Sequence, residues 1–298
     1  MKKTYLKTFT TILILILTLL YCLQFTSLYN KTNSNSNYLT VYFIDVGQGD
    51  CILVNVNGYN LLIDSGPSSA RKSLLGYLDK LSISKFDYVI ATHPHEDHIG
   101  NMDAIIRKYH IGKFLAPKVT ASTLTFENMV TALNDKNLKI SVISTGSNSI
   151  NLGKETSIMF YTLPNLNTDD ELNLYSPIIK LTYKNISFLF TGDAELKNEE
   201  FLIKNEINLR SHILKIGHHG SSSSTCEAFL NSVNPKVAII SVGSNNKYGH
   251  PAASTLNLLK NYHIKLYRTD LLGTIILKSD GSSFSILYQW KNEGAVSK

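Results

Sequence analysis

The sequence predicts an α/β fold, an αββα sandwich of two mixed β-sheets flanked by helices, preceded by one N-terminal hydrophobic helix. Short runs rich in β-branched residues alternate with segments of helical periodicity along most of the 298 residues. Strand pairs without an intervening helix occur early and late, which is typical of mixed sheets rather than fully parallel ones. The composition, 43% hydrophobic and 17% charged, is that of a globular protein with a sizeable core.

Residues 1–28 predict a membrane anchor or a signal peptide. Lys2, Lys3 and Lys7 precede an apolar run over residues 9–23, which is a positively charged segment followed by a hydrophobic one. No small-residue cleavage site follows, and this favours an uncleaved anchor. Lysines ahead of the segment favour a cytoplasmic N-terminus, so the remainder of the chain is expected outside the cytoplasm or secreted.

The rest of the chain predicts one domain between two polar segments. Residues 29–38 are rich in Asn and Ser and form a flexible linker, and residues 291–298 form a polar tail. Residues 39–290 contain no repeat period and no strong internal linker, and therefore form a single catalytic domain.

Within that domain, strands are predicted where β-branched runs lie between Gly and Asn turns, and helices where apolar residues recur on one face. Leu74, Leu75 and Leu78 are such a helical set. The predicted strands cover residues 39–46, 51–56, 59–63, 88–91, 114–116, 139–143, 157–161, 178–183, 187–190, 213–216, 237–241, 265–267, 274–278 and 284–290. The predicted helices cover residues 73–81, 99–109, 124–133, 195–204, 226–232 and 252–262.

Cysteine and charge usage exclude several classes of protein. The three cysteines, Cys22, Cys51 and Cys226, exclude a disulfide scaffold and a CxxC zinc ribbon, so a bound metal would need His and carboxylate ligands. The net charge of +6 permits a polyanionic partner. Part of it lies ahead of the hydrophobic segment and no Lys/Arg block occurs elsewhere, so charge alone is weak support for nucleic-acid binding.

The segment after the strand at 88–91 concentrates metal-binding side chains. His93, His95, Asp97 and His98 lie within six residues and offer the nitrogen and oxygen ligands of Zn²⁺, Mn²⁺ or Fe²⁺. In an extended loop His93 and His95 point the same way, because side chains alternate with a period of two. Asp97 and His98 lie where a helix begins and can turn toward a second ion.

The His93-x-His95-x-Asp97-His98 pattern resembles the central motif of the metallo-β-lactamase fold family. Further similar motifs follow in the family's order and extend over nearly the whole domain. They are residues 61–66 (LLIDSG), residues 188–193 (FLFTGD) and residues 214–221 (LKIGHHGS). Residues 43–50 (FIDVGQGD) and residues 248–251 (YGHP) narrow the resemblance to the extracellular metallo-β-lactamase domain of ComEC-type competence proteins. The resemblance implies a stand-alone relative, because the many membrane spans of that channel are missing.

The resemblance implies two divalent ions, Zn or Mn, as cofactors. His93, His95 and Asp193 would hold one ion, and Asp97, His98, Asp193 and a late histidine the other. Two ions about 3.5–4 Å apart polarise a phosphoryl or carbonyl oxygen and lower the pKa of a shared water toward 7. The resulting hydroxide would attack, with Asp97 orienting it or taking its proton.

The family also implies residues behind the ligands. Asp64, at the end of a strand, would steady the ligand loop, and a simple turn or cap is the alternative. Many members carry one more ligand histidine just before the strand of the bridging aspartate, but residues 170–177 (DELNLYSP) contain none. The first ion is then short of a ligand. Three alternatives follow. The ion binds more weakly, the site prefers an ion that favours oxygen ligands such as Mn²⁺, or Asn173 contributes indirectly.

The late motifs supply candidates for the remaining roles. Since His218 and His219 are adjacent at a strand end, they are not expected to point the same way; one would be the ligand and the other would contact substrate or pack. Ser221 and Ser222 lead into a helix whose free amides suit an anion such as phosphate, or merely cap it. His250 would hydrogen-bond a leaving group or phosphate oxygen, or pack in its loop. Tyr248, two residues before His250, is a weaker substrate candidate.

These features predict an extracytoplasmic metal-dependent hydrolase, foremost a phosphodiesterase or nuclease, whose partners are a phosphodiester substrate such as DNA and, through residues 1–28, the membrane. The sequence implies no protein partner. A cell-wall phosphoester, a lactone or a β-lactam is the alternative substrate on the same fold, the β-lactam being disfavoured by the missing histidine. An inactive module that binds DNA or an envelope partner is the alternative of a different class.

Overall fold

The computed structural model describes residues 38–146, 150–167 and 171–288. The predicted anchor, nearly all of the linker, the end of the last predicted strand and the polar tail lie outside these residues. Within the described ranges, none of the helices is both long and apolar enough to cross a bilayer.

The strands follow the predicted order along the chain. They are β1 (Leu39–Phe43), β2 (Ile52–Val56), β3 (Tyr59–Ile63), β4 (Lys85–Ile90), β5 (His110–Ala116), β6 (Ile140–Val142), β7 (Thr156–Tyr161), β8 (Ile178–Tyr183), β9 (Ile186–Phe190), β10 (Ile213–Lys215), β11 (Val237–Ile240), β12 (Lys265–Arg268), β13 (Ile275–Ser279) and β14 (Phe284–Tyr288).

The helices also fall near their predicted places. They are α1 (Arg71–Lys80), α2 (Glu96–Ile99), α3 (Met102–Lys108), α4 (Leu124–Asp135), α5 (Leu196–Lys204), α6 (Glu227–Val233), α7 (Ala253–Asn261) and α8 (Thr269–Leu272). Short 3₁₀ turns cover Ser68–Ala70, Leu172–Tyr175 and Gly217–Gly220. The sequence did not predict α8, which is only one turn long.

Two mixed sheets form in the described part of the chain, as predicted. One has the strand order β14-β13-β1-β2-β3-β4-β5-β6 and the other β12-β11-β10-β9-β8-β7. Strands joined without an intervening helix, such as β1, β2 and β3, pair antiparallel, whereas β3 to β6 and β9 to β12 pair parallel. Helical crossovers join most of the parallel neighbours, since a tight turn cannot return the chain to the same direction.

Three hydrophobic clusters account for the four layers. The central one lies between the sheets and contains Phe43 from one sheet and Phe188 and Phe190 from the other. The outer face of the first sheet packs on α1, α3 and α4, for example through Leu74. The outer face of the second packs on α5, α6 and α7, for example through Phe229. The predicted αββα sandwich is therefore confirmed.

The helix predicted over residues 99–109 is in fact two helices, α2 and α3, separated at Gly100 and Asn101. A Cβ at Gly100 would lie 2.3 Å from Ser68 N and 2.7 Å from Gly66 O, so only glycine fits there. The backbone leaves the helical angles at Asn101, whose side chain donates to the carbonyls of Ser65 and Pro67. The break frees α2 to direct its side chains independently of α3, which packs on the sheet.

The strand ends place the candidate site at one edge of both sheets. β3 and β4 are parallel neighbours in one sheet, and β9 and β10 are parallel neighbours in the other. Their carboxyl ends lead into Asp64, the His93–His98 segment, Asp193 and the Gly217–Gly220 turn, respectively. Parallel neighbours end at the same edge, so residues far apart in sequence meet there.

Glu199 on α5 forms hydrogen bonds to the segment that follows the Gly217–Gly220 turn. The carboxylate is buried and accepts from the amides of Thr225, at 2.5 Å, and Cys226, at 2.8 Å. These amides stand just before α6, so the helix start is satisfied by protein.

We expect Glu199→Ala to lower the free energy of unfolding by about 2–5 kcal/mol, because two buried amides lose their acceptor at about 1–3 kcal/mol each. Urea denaturation of the full chain measures this, with Glu200→Ala, an exposed position on the same helix, as the control. Equal stability of the two variants would contradict this role of Glu199.

Candidate metal centre

The carboxylate of Asp193 lies at the centre of a group of histidines. Asp193 follows β9 and is 2% exposed. Its Oδ1 lies 3.2 Å from His98 Nε2. Its Oδ2 lies 3.5 Å from His219 Nε2, 3.7 Å from His218 Nε2 and 3.9 Å from His93 Nε2. Four imidazoles from two segments, the His93–His98 segment and the Gly217–Gly220 turn, therefore turn the same ring nitrogen toward one carboxylate.

Polar groups behind the rings fix two of these imidazoles. His98 Nδ1 lies 2.8 Å from Asp64 Oδ2, and Asp64 also accepts from the amide and hydroxyl of Thr92. His93 Nδ1 lies 3.2 Å from Ser176 Oγ. Contacts of this kind set the ring orientation and leave Nε2 free to bind an ion. Asp64 thus occupies the supporting position that the resemblance implied.

The expectation that His218 and His219 could not both point toward the centre is wrong, because Nε2 of each faces Asp193 Oδ2. Both residues lie in the left-handed region, with φ of 46° and 53°, inside the Gly217–Gly220 turn rather than in a strand. The alternation of side chains therefore does not apply to them. His219 Nδ1 is 2.9 Å from Ser241 O, and His218 Nδ1 is 3.2 Å from Glu195 Oε1.

Four of the predicted ligands, among the described residues, lie close enough together to bind one ion. Ligand atoms of Asp97, His98, Asp193 and His219 all lie within 4.8 Å of one another. His98 Nε2 and Asp193 Oδ1 are buried and make no hydrogen bond in the described structure, although they lie only 3.2 Å apart. Two ligands of one ion, each about 2.0–2.2 Å from it, stand about that far apart. These residues fit a divalent metal ion.

The other predicted ligands lie beside this set. His93 Nε2 and His95 Nδ1 are 3.0 Å apart. The two side chains therefore point the same way, as their spacing predicted. Asn173 donates to Glu195 Oε1 at 3.1 Å, and its backbone carbonyl accepts from the amide of Ser176, whose hydroxyl contacts His93. Asn173 therefore lies next to the first ligand set, consistent with an indirect contribution.

The charges of the site are balanced between carboxylates and imidazoles. Burial lowers the pKa of His98, but the carboxylates of Asp193 and Asp64 outweigh it and raise that pKa well above its usual value. Burial raises the pKa of Asp193, but His219 and His98 outweigh it and hold that pKa well below its usual value. His93, farther from the carboxylates, has its pKa lowered by burial. Binding a divalent ion would displace the imidazolium protons.

All the candidate ligands except the buried His93 and His98 line an open cavity of about 310 Å³. Its lining residues are Gln48, His95, Glu96, Asp97, Asp193, His218, His219, Tyr248 and His250. His250 and Tyr248 thus reach the cavity that the sequence assigned to them. Tyr248 is 57% exposed at the rim, and its ring stacks on His250 with 5.7 Å between centroids.

Sequence reasoning did not name Gln48 as a site residue, although it lies in the FIDVGQGD motif. Its Oε1 accepts from the amide of Gly243, while its buried Nε2 makes no hydrogen bond within the described residues. Gly49 beside it has no room for a Cβ, which would lie 2.2 Å from Asp97 O. The FIDVGQGD motif that carried the resemblance was the available signal.

Ser221 and Ser222 do not line this cavity. Ser221 Oγ contacts Ser223 Oγ at 3.0 Å, and it is Ser223 that lies 3.3 Å from His218 Nδ1. The amides expected to be free for an anion, at Thr225 and in the next residue, are taken by the Glu199 carboxylate. At this helix start the structure therefore favours the capping alternative over an anion site.

A buried ion pair lies behind His219. Lys215 Nζ is 2.6 Å from Asp50 Oδ2, and both side chains are at most 2% exposed. Asp50 Oδ1 is 3.5 Å from His219 Nδ1, and Lys215 also donates to Gly192 O, next to Asp193. The pair therefore connects the backbone before Asp193 to the ring of His219.

We expect Lys215→Met alone to lower the free energy of unfolding by about 3–5 kcal/mol, because it leaves the Asp50 carboxylate buried and uncompensated. Asp50→Asn combined with Lys215→Met should recover more than half of that loss. Denaturant titration measures both, and Lys85→Met, which removes an exposed pair with Asp87, should cost about 1 kcal/mol or less. A double variant no more stable than Lys215→Met would contradict this account.

Comparison with known proteins agrees with the fold and the site. Residues 44–244 match the model of the metallo-β-lactamase superfamily. ComE operon protein 3 of Bacillus subtilis is 30% identical over 254 residues, covering 79% of this chain and 32% of that protein. Competence protein ComA of Neisseria gonorrhoeae is 28% identical over 243 residues, covering 81% of this chain and 32% of that protein. The chain thus spans about a third of the length of these relatives.

Among solved structures, the metallo-β-lactamase fold protein YhfI from Bacillus subtilis superposes with a TM-score of 0.54 at 11% identity. The match covers 81% of this chain and all of that one, and it shows the shared fold. The family match spans more than half of the chain and includes the His93–His98 segment and Asp193. The chain belongs to the metallo-β-lactamase superfamily, a group of metal-dependent hydrolases.

Proposed function

We propose that this chain is an extracytoplasmic, metal-dependent phosphodiesterase that cleaves nucleic acid, with two divalent ions, Zn or Mn, in its centre. The observation that carries the proposal is the cavity itself, whose floor is a candidate metal centre and whose rim presents an aromatic ring beside a cation. Tyr248 is exposed there, and Lys247 Nζ lies 5.2 Å from the centroid of its ring.

The floor and the rim suit the two parts of a nucleotide. Divalent ions bound at the centre polarise a phosphoryl oxygen and lower the pKa of a water molecule. Tyr248 offers a face on which a base can stack, and Lys247 beside it can pair with a neighbouring phosphate. Similarity to ComE operon protein 3 and to Competence protein ComA supports a nucleic-acid substrate.

Three side chains of the cavity have the positions that the reaction needs. Asp97, 27% exposed in its side chain, can hold the attacking water and take its proton. Gln48 Nε2 can donate to a non-bridging phosphate oxygen, since it has no acceptor in the described structure. His250 can donate to the leaving oxygen. Its ring lies 5.3 Å from that of His218, centroid to centroid, at the same cavity.

The proposed location follows from the sequence. Residues 1–28 would anchor the chain in the membrane, with the catalytic domain outside the cytoplasm.

We expect Asp97→Ala to reduce the rate of metal-dependent hydrolysis of single-stranded DNA roughly 100- to 10,000-fold, since it removes the proton acceptor and a ligand. The full chain loaded with Mn²⁺ or Zn²⁺ is assayed on single-stranded DNA, double-stranded DNA and a model phosphodiester, with the exposed Asp135→Ala as control.

A wild type that binds metal but leaves all three phosphodiesters intact would overturn the phosphodiesterase proposal. Turnover of a lactone, a β-lactam or a cell-wall phosphoester in parallel assays would then identify another hydrolase of the same fold. Binding of DNA without turnover of any substrate would instead favour the inactive binding module.

Tyr248→Ala should raise KM for single-stranded DNA roughly 5- to 100-fold and leave kcat nearly unchanged, because one base loses its stacking partner. Tyr248→Phe keeps the ring and should behave like the wild type. On an oligonucleotide without bases around the scissile bond, Tyr248→Ala should have no effect. Equal losses on the normal and the abasic strand would show that the ring does not stack on a base.

A further inference from the structure

The four imidazoles around Asp193 share one arrangement. In each, Nε2 faces the Asp193 carboxylate at 3.2–3.9 Å, and Nδ1 contacts a polar oxygen behind the ring. Metal-binding histidines commonly show this combination, because the contact at one nitrogen fixes the other on the ion. His218 shows it as fully as His93, His98 and His219 do.

We infer that His218 is a ligand of the first metal ion, in the place of the histidine that residues 170–177 lack. The first ligand set would then consist of His93, His95, Asp193 and His218, and His219 would bind the other ion. This inference deepens the metal centre of the proposed function and rests on it, but it does not depend on which substrate is cleaved.

Glu195 is the positioning residue for His218. Its Oε1 lies 3.2 Å from His218 Nδ1 and accepts hydrogen bonds at 3.1 Å from Asn173 Nδ2 and from Ser223 Oγ. A carboxylate oxygen held by two donors has a fixed orientation, so it can hold the imidazole with Nε2 directed at the centre. The same pattern, a carboxylate behind the ring, occurs at His98 with Asp64.

The neighbours of His218 place it on the side of the first ion. Asn173 donates to Glu195, and its backbone carbonyl accepts from the amide of Ser176, whose hydroxyl contacts His93, a predicted first-set ligand. Glu195 and His218 therefore lie beside that set. His219 instead contacts Asp97 at 3.2 Å, which belongs to the second set. The two adjacent rings are 6.1 Å apart and inclined at 70°, so they approach Asp193 from different directions.

The backbone of the Gly217–Gly220 turn makes this division possible. Two consecutive left-handed residues replace the alternation of a strand, so that neighbouring side chains reach the same carboxylate. The glycines at both ends of the turn are packed too closely for a side chain. A Cβ at Gly217 would lie 2.9 Å from Ala194 O, and one at Gly220 would lie 2.6 Å from Pro251 Cβ.

Counting bound metal ions tests the inference without substrate. The full chain is stripped with a chelator, titrated with Mn²⁺ and with Zn²⁺ by calorimetry, and its bound metal is then measured by mass spectrometry. We expect two equivalents in the wild type and one in His218→Ala, with binding of the lost ion weakened roughly 100-fold or more. His110→Ala, which removes an exposed strand histidine, should keep both.

Double variants assign the ion. His95→Ala combined with His218→Ala should still bind one equivalent, since both residues serve the same ion and their effects do not add. His218→Ala combined with His219→Ala should bind none. Glu195→Gln should weaken the first ion roughly 10-fold, and it serves as the test if His218→Ala does not fold.

Retention of both ions at wild-type affinity in His218→Ala would overturn the inference and make His218 a substrate contact or a packing residue. Loss of the same single ion in His218→Ala and His219→Ala would also overturn it. Neither result bears on DNA cleavage by the wild type. Conversely, two bound ions of the expected assignment without cleavage would overturn the proposed phosphodiesterase alone.

Discussion

A carboxylate buried between two sheets must be neutralised, and this constraint organises the site around Asp193. An unpaired buried carboxylate costs several kcal/mol or more, so cations or strong donors have to surround it. Four imidazole nitrogens do so within 3.9 Å. They come from loops after strands of both sheets. Contacts with the Asp193 side chain therefore join the two sheets at this edge.

The imidazoles are in turn held by residues that never reach the cavity. Asp64, Ser176, Glu195 and the carbonyl of Ser241 each contact one Nδ1 atom, and the Asp50–Lys215 pair lies deeper still. These contacts orient the rings before an ion binds. Ordering the ligands therefore reduces the favourable free energy of ion binding by less. The ligand set is thus part of the folded core rather than a feature of mobile loops.

Such a centre does not by itself select a substrate, because the same fold hosts many hydrolytic reactions. Selection has to come from groups at the cavity that are not ligands. In this chain those groups are the free donor of Gln48, the imidazole of His250 and the exposed ring of Tyr248 with its neighbouring lysine. These groups are neutral or cationic, and the carboxylate of Glu96 at the same cavity accepts from Ser68. The neutral and cationic groups complement a phosphodiester better than a cationic or purely apolar substrate.

Most of the strands and helices could be predicted, because hydrophobic periodicity and glycine turns are local properties of the chain. Where the prediction failed, a distant contact was responsible. The helix over 99–109 breaks at Asn101, whose side chain donates to the carbonyls of Ser65 and Pro67. The amides of Thr225 and Cys226 are taken by Glu199 from another helix. No local pattern reports such partners.

The sequence by itself determined the ligand chemistry of this protein and the order of its motifs. The spacing of His93, His95, Asp97 and His98 is local, and imidazole and carboxylate groups carry their metal preference wherever they are placed. Only the tertiary structure decided that His218 and His219 both face Asp193 and that Gln48 joins the cavity. Those positions depend on left-handed backbone and on contacts between the loops of two sheets, which form only when the whole sandwich has packed.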